Sequence, residues 1–268
     1  MLLHQVASAP PVEGSNTLPH EIVEMIIAYL IQDVRTLKVC SLTCYSWYIA
    51  ALPHIHHTLT LNDPNGCLKS LSSRHALGLL PFTKEIRIPQ RDPFWFLPKF
   101  FSQRNSRHFF AFTNIQSLTV HYLYITAFIP KLTRYFGHLS PTLRSLTLFA
   151  PQCTPLELAH FISLFPNLED IVVRHHVDAR ETHKEALASL STPKLHGKLV
   201  LLGFGVLGTW EHLATSCGLR FRFIHVGGVI KSVPVLLTDC DRTLETFRIE
   251  LLPDRGTGSR VHSTVNLG

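Results

Sequence analysis

The chain has 268 residues, a formal net charge of +6 at pH 7 and a sequence pI of about 9.1. Hydrophobic residues make up 46% of the chain and charged residues 16%, a composition that provides a sizeable core and excludes general disorder after residue 17. No run approaches the ~20 apolar residues of a membrane span, so no membrane partner is expected.

Residues 1–17 contain neither a basic leader nor a long apolar run, which predicts a flexible lead-in rather than a signal peptide. The six cysteines, at positions 40, 44, 67, 153, 217 and 240, show no compact pattern of spacings. These features favour reduced, mostly buried thiols in a cytoplasmic or nuclear protein.

Residues 18–52 carry more apolar surface than so short a segment can bury by itself. Pro19 can begin a helix, and Asp33 can cap a second one. A third helix over residues 44–52 carries Trp47. The first helix shows one wide apolar stripe at helical spacing: Ile22, Met25, Ile26, Tyr29 and Leu30, widened by Ile27 and Ile31. The stretch is therefore predicted to be half of an interface, with the rest of the chain or with another protein.

These residues resemble the F-box family, whose pattern is Leu-Pro-x-Glu-Ile, an apolar helix, an Asp-containing turn, a Leu, and an apolar-Cys-basic-x-Trp signature. The resemblance covers about an eighth of the chain, and its matching residues are Leu18, Pro19, Glu21, Ile22, Ile26, Leu30, Leu37, Leu42, Cys44 and Trp47. Thr43 and Tyr45 depart from the pattern, since an aliphatic and a basic residue are usual at those positions.

The resemblance implies a three-helix F-box over residues 18–55 that docks on a Skp-type linker protein and through it on a cullin. The chain would be a substrate receptor in the ubiquitin conjugation pathway, with no catalytic residue and no enzyme activity of its own. The implied linker-binding residues are Leu18, Pro19, Ile22, Ile26, Leu30, Leu37, Cys40 and Trp47. In the alternative, Trp47 and Leu52 pack on the chain's own first repeat, and the segment only caps a protein-interaction module.

From about residue 80, a short unit recurs in which outward residues alternate with inward apolar ones, as in half-buried strands. Seven units begin at Glu85, Ser117, Ser145, Asp170, Lys198, Arg220 and Thr246. Helices are predicted between them at 154–164 and 182–190. The units resemble the irregular leucine-rich repeats behind many F-boxes, particularly in fungi. The predicted fold is α/β, with a repeat array over residues 56–252 and a tail over residues 253–268. An ordinary α/β domain with right-handed crossovers is the alternative.

In such an array the concave strand face would hold the target protein. Alternation alone predicts six target-binding residues on it: Arg87, His121, Phe149, Arg174, Arg222 and Arg248. This basic surface with apolar patches favours a protein or acidic-peptide ligand over a small molecule. Nucleic acid is not expected, because the cluster Lys84, Arg87, Arg91, Lys99, Arg104 and Arg107 has no Arg/Lys-dense helix or interleaved aromatic residues.

Two kinds of motif suggest a cofactor or metal site instead and are given less weight. Residues 203–208 spell G-x-G-x-x-G after an apolar strand, but no acidic residue ends the next strand, so a dinucleotide enzyme is the third hypothesis. Two histidine groups have no C-x-x-C pair to support a zinc site: His54, His56 and His57 near Cys40 and Cys44, and His175, His176 and His183 with Asp178. No cofactor and no metal is therefore predicted.

Overall fold

The structure, a computed structural model, describes residues 18–62, 78–89, 110, 112–123, 136–151, 153, 155–174, 196–202, 220–227, 244–251 and 261–266. The chain divides between Ile55 and His56 into two compact units. Within the described ranges, no helix is both long and apolar enough to cross a membrane.

The first unit contains the three predicted helices, α1 (His20–Tyr29), α2 (Val34–Cys40) and α3 (Tyr45–Ile55), and we call residues 18–55 the helical module. α1 begins directly after Pro19. The Pro19 carbonyl accepts hydrogen bonds from the backbone N–H groups of Ile22 and Val23, at 3.1 and 3.2 Å. A proline at this point costs no hydrogen bond, because the first N–H groups of a helix have no partner within it.

Asp33 caps α2, as the sequence predicts. Its Oδ1 accepts hydrogen bonds from the backbone N–H groups of Arg35 and Thr36, at 3.1 and 3.0 Å. The hydroxyl of Thr36 donates to Oδ2 at 2.6 Å, and this bond, followed by the backbone bonds, holds the pKa of the Asp33 carboxyl below its ordinary value. Because the charged form makes the cap, its contribution is complete above the ordinary aspartate pKa and is lost as the pH falls through the lowered one.

A small core holds the helical module together. Its buried members are Val23, Ile27, Leu37, Ala50 and Ala51, and Leu30, Cys40, Trp47 and Ile55 pack partly against them. A core of this size provides only a few kcal/mol, on the order of 3–5 at most. The module can therefore tolerate little loss of buried volume.

Within the described residues, the second unit contains a nine-stranded sheet in which the strands follow one another in sequence order. They are β1 (Thr58–Thr60), β2 (Glu85–Ile88), β3 (Ser117–His121), β4 (Ser145–Phe149), β5 (Asp170–Arg174), β6 (His196–Leu202), β7 (Arg220–Gly227), β8 (Thr246–Leu251) and β9 (Val261–Asn266). β1 to β8 pair in parallel, and β9 pairs antiparallel with β8. The seven predicted strands, β2 to β8, are confirmed. β1 and β9 were not predicted, and β9 lies within the range assigned to a tail.

The strand order distinguishes a solenoid-like sheet from a doubly wound α/β domain. A doubly wound sheet reverses its strand order at a switch point, whereas this one runs from β1 to β9 without reversal. Burial alternates along β3 and β4, so one face is buried and the other is partly exposed, unlike the two covered faces of a doubly wound sheet. The helix predicted at 154–164 is confirmed as α4 (Pro155–Ser163).

Equivalent hydrogen bonds join successive units of the sheet. At each of four junctions, one carbonyl accepts hydrogen bonds from two successive backbone N–H groups, those of the first residue of the next strand and of the residue before it, at 2.7–3.0 Å. The four carbonyls belong to His57, Lys84, Gln116 and Arg144. Two asparagines repeat a second bond, since Asn114 and Asn167 donate from their side chains to the carbonyls of Pro81 and Pro141, at 2.9 and 3.1 Å. The units are therefore structurally equivalent although their sequences are irregular.

β7 contains a bulge that changes which of its residues face outward. Gly197 pairs with Phe221 and Lys198 with Phe223, which leaves Arg222 as the additional residue. Ile224 and Val226 are then buried, and Phe223 and His225 lie on the outward face. The inward residue of β7 that pairs with Leu199 is therefore Ile224, 25 residues later in the sequence. Strict alternation from Arg220 would have given Phe221, 22 residues later.

Several predictions lie outside the described residues. They are the helix at 182–190, the glycine-rich turn at 203–208, the second histidine group (His175, His176, Asp178 and His183), the basic residues Arg91, Lys99, Arg104 and Arg107, and the cysteines at 67, 217 and 240.

Candidate functional site

The helical module leaves many large apolar side chains on its surface. Eleven are exposed: Leu18, Ile22, Met25, Ile26, Tyr29, Ile31, Val34, Val39, Leu42, Tyr45 and Ile49. In the described part of the second unit, only Phe110 and Tyr122 are exposed residues of this kind. A concentration of exposed apolar residues on one small module is typical of a protein-binding surface.

α1 divides its apolar residues between two faces. Val23 and Ile27 are fully buried in the module core, with Leu30 packed beside them. A second group lies roughly 120° away around the helix and is exposed; we call it the outer stripe, and it consists of Ile22, Met25, Ile26 and Tyr29. The sequence pattern joined these faces into one wide stripe. In the structure, the inner face forms the core and the outer stripe remains available to a partner.

The eight predicted linker-binding residues fall into three groups. Leu18, Pro19, Ile22 and Ile26 are exposed, and Leu30, Cys40 and Trp47 are partly buried against the module core. Leu37 is fully buried, so in the folded module it is a core residue rather than a surface residue. It belongs to the core cluster formed with α1 and α3, and its part in linker binding stays a prediction.

The most exposed apolar residues were not among the eight. Tyr29 is 93% exposed, Leu42 85%, Tyr45 78% and Met25 68%. The sequence does indicate that Met25 and Tyr29 share a face with Ile22, because they follow it at i+3 and i+7, the spacing of one helix face. The two departures from the family pattern, Thr43 and Tyr45, are also at the surface, and the hydroxyl of Thr43 donates to the Cys40 carbonyl at 2.8 Å.

A second surface is the outward face of the sheet, on which side chains of neighbouring strands lie in rows. The register aligns the last residues of β3, β4, β5 and β6, and we call them the terminal row: His121, Phe149, Arg174 and Leu202. The rings of His121 and Phe149 stack, with centroids 4.2 Å apart and planes at 20°. Cζ of Arg174 lies 5.3 Å from the centroid of the Phe149 ring, a cation–π contact. The structure thus brings three of the six predicted target-binding residues together.

The terminal row carries its positive charge at Arg174. Burial lowers the pKa of His121 below its ordinary value, so this imidazole is neutral at pH 7. Arg174 is exposed, and no carboxylate in the described ranges forms an ion pair with it. Its guanidinium is therefore available for an anion.

Arg87, by contrast, is already bound within the sheet. Its Nε and Nη2 donate to the two carboxylate oxygens of Glu85 at 2.7 and 3.0 Å, and the Thr58 hydroxyl donates to the same carboxylate at 2.8 Å. Burial alone would raise the pKa of Glu85, but the hydrogen bonds from Arg87 and Thr58 outweigh it and lower that pKa. A ligand would have to break this network to use Arg87.

Arg222 and Arg248 lie apart from the terminal row. Arg222 is the bulge residue of β7, and its Nε lies 3.7 Å from Oε1 of Glu245. Arg248 aligns with His225, and its Nε is buried without a hydrogen-bond partner in the described part of the chain. The bulge places Phe223 on the outward face, 5.3 Å from Nζ of Lys198. Sequence alternation from Arg220 predicts that Phe223 faces inward, and this prediction is wrong because the bulge shifts the register of β7 by one residue.

The described residues contain no group of three or more His, Cys, Asp or Glu side chains that could hold a metal ion. Cys40 packs partly against the module core, and Cys44 is exposed. Burial, with a smaller contribution from Glu157, raises the pKa of the Cys153 thiol far above its ordinary value, so this cysteine stays protonated.

Comparison with known protein families identifies the helical part of the chain. Residues 15–62 match the F-box-like family, and this range contains α1, α2, α3 and β1. No curated protein matches the chain significantly. The chain therefore carries an F-box-like domain, and that domain includes the helical module with its exposed outer stripe.

Proposed function

We propose that this chain is a substrate receptor of a Skp–cullin–F-box ubiquitin ligase. The helical module binds the Skp-type linker protein, and the outward face of the sheet binds the target. The observation that carries the proposal is the set of eleven exposed hydrophobic residues concentrated in the module that matches the F-box-like family. Water-exposed apolar surface on this scale is costly unless a partner covers it.

The energetics indicate which residues supply most of the linker binding. Leu18, Ile22 and Ile26 are only 52%, 40% and 36% exposed. At ~1.5–3 kcal/mol for a fully buried side chain, covering these three stabilises the complex by roughly 2–4 kcal/mol. Association costs ~4–15 kcal/mol. Met25, Tyr29 and Leu42 must therefore contribute to the interface as well.

The sheet units are proposed to be degenerate leucine-rich repeats. The repeated hydrogen bonds between successive units and the single buried face support this assignment. In the proposed complex the chain performs no covalent chemistry. It holds a target lysine near a ubiquitin-charged enzyme, which raises the effective concentration of the two reactants.

The alternative, that the F-box-like segment is only a cap on the repeats, conflicts with the surface of the module. Terminal caps of repeat arrays present a polar outer face to water. Here the outer stripe presents Met25 and Tyr29, which are among the most exposed apolar residues of the described chain. We therefore favour the linker-binding function.

Replacing Leu18 and Pro19 together by alanine should weaken linker binding roughly tenfold, because both lie exposed before α1 and contribute apolar contact. A pull-down with the purified Skp-type linker protein measures this, and far-UV circular dichroism checks that the sheet stays folded. Tyr122→Ala is the control, since it removes an exposed aromatic residue of the second unit. Equal retention of the double variant and the wild type would count against the interface.

A further inference from the structure

We propose that the terminal row (His121, Phe149, Arg174 and Leu202) holds an acidic segment of a partner protein. A carboxylate of that segment binds the Arg174 guanidinium, and a neighbouring apolar side chain packs on Phe149 and Leu202. The inference rests on the proposed function, because it names the class of segment that the target presents to the outward face.

The guanidinium of Arg174 is exposed on the outward face of the sheet. Two of the other predicted target-binding arginines form ion pairs, Arg87 with Glu85 and Arg222 with Glu245. Arg174 has no carboxylate partner among the described residues. The other charged outward residue of β5 is Asp170, four residues away and roughly 13 Å along the strand. A guanidinium presents a planar fork that matches a carboxylate with two hydrogen bonds.

Contact with the Phe149 ring positions Arg174 before a partner binds. Its guanidinium lies against the Phe149 ring, and that ring is also stacked on His121. A side chain held in this way loses less conformational entropy when it binds, so more of the interaction free energy contributes to affinity. Arginine and aromatic residues in such arrangements are the groups that dominate binding energy at protein interfaces.

Apolar side chains surround the positive charge of Arg174. Phe149 and Leu202 flank Arg174 in the row, and Val172 lies two residues earlier on the same face; all three are half-buried. An ion pair that forms between apolar neighbours is less screened by water than one on an open polar surface. The same neighbours provide a contact for an aliphatic or aromatic residue of the partner.

The backbone that ends two of these strands is strained. Tyr122 and Ala150, which directly follow His121 and Phe149, have φ angles of 53° and 49°. Their N–H groups donate to the carbonyls of Phe149 and Arg174, at 2.6 and 2.7 Å. Left-handed backbone at residues other than glycine is uncommon and concentrates at binding sites. These bonds fix the strand ends that carry the row.

A carboxylate fits the row better than a phosphate. Phosphorylated segments are usually bound by clusters of arginines, because a phosphate carries up to two negative charges. The terminal row has one guanidinium, and its histidine is neutral at pH 7. One fixed positive charge between apolar side chains complements a single carboxylate.

The test uses the purified full chain and three fluorescein-labelled octapeptides. The first alternates Glu and Leu, the second has Gln in place of every Glu, and the third has phosphoserine in place of every Glu. Fluorescence anisotropy should show that the Glu peptide binds the wild type at least tenfold more tightly than the Gln peptide. Arg174→Gln should reduce that affinity roughly tenfold. Arg144→Gln is the matched control, because Arg144 is an exposed arginine outside the row that pairs with Glu169, and it should change the affinity less than twofold.

Three results would overturn the inference: equal binding of the Glu and Gln peptides, equal effects of the two arginine variants, or binding of the phosphoserine peptide at least tenfold tighter than that of the Glu peptide. Thermal melting of each variant confirms that it is folded. Linker binding by the same preparations separates the two proposals. Retained linker binding without a preference for the Glu peptide contradicts this inference alone, and a Glu preference without linker binding contradicts the proposed function.

Discussion

Replacing Gly197 by alanine should destabilise the sheet by about 3 kcal/mol or more. Gly197 has a φ angle of 94°, a conformation that residues with a side chain rarely adopt. A Cβ at this position would lie 2.1 Å from the carbonyl oxygen of Glu169. That oxygen also accepts the backbone N–H of Lys198 at 2.8 Å, so it cannot move away without breaking the link between β5 and β6.

Urea unfolding of the full chain, followed by far-UV circular dichroism, measures this loss. Gly137→Ala is the matched control, because a Cβ there meets nothing within 4 Å. We expect the control to change the free energy of unfolding by less than ~0.5 kcal/mol. If the two variants unfolded at the same urea concentration, the described approach of β6 to Glu169 would be incorrect.

Leu37→Ala should unfold the helical module, whereas Leu42→Ala should leave it folded. Leu37 is completely buried, and removing its side chain costs about 2–5 kcal/mol, which is comparable to the whole stability of so small a core. Leu42 is 85% exposed, so the same chemical change should alter stability by less than ~0.5 kcal/mol. Both variants should bind the linker less tightly, the first because the module is unfolded and the second because a contact is lost.

Amide hydrogen exchange across α1, α2 and α3 distinguishes unfolding of the module from the loss of a single contact. Protection should be lost throughout the module in Leu37→Ala and retained in Leu42→Ala. Retained protection in Leu37→Ala would contradict the core described above. Wild-type linker affinity in Leu42→Ala would remove that residue from the proposed interface.

The strands were predictable where several apolar residues alternate with outward ones, as in Ser117–His121 and Ser145–Phe149. β1 consists of Thr-Leu-Thr, and its single apolar residue gives no alternation to detect. β9 has two apolar residues in six and follows no repeat, because it pairs antiparallel with β8. The bulge at Arg222 depends on the pairing of β7 with β6, which local alternation does not contain.

The candidate surfaces were predictable in part. Helical spacing identified the apolar residues of α1, but the division between core and outer stripe depends on where α3 packs. The ion pair of Arg87 was predictable, because Glu85 lies two residues earlier and residues i and i+2 of a strand share a face. Alternation placed His121, Phe149 and Arg174 on one face, but their alignment in one row depends on the lengths of the connections between strands. The burial of Leu37 likewise required the three helices to be assembled.

The most direct test of the central claim is an isothermal titration of the purified full chain with the Skp-type linker protein. Ile22→Asp with Ile26→Asp places two carboxylates in the outer stripe, and Ala28→Asp places one on an exposed third face of α1 as the control. We predict clear binding by the wild type and by the control, and at least a hundredfold weaker binding by the double variant with an unchanged circular dichroism spectrum. No binding by a folded wild type, or equal binding by the double variant, would contradict the account.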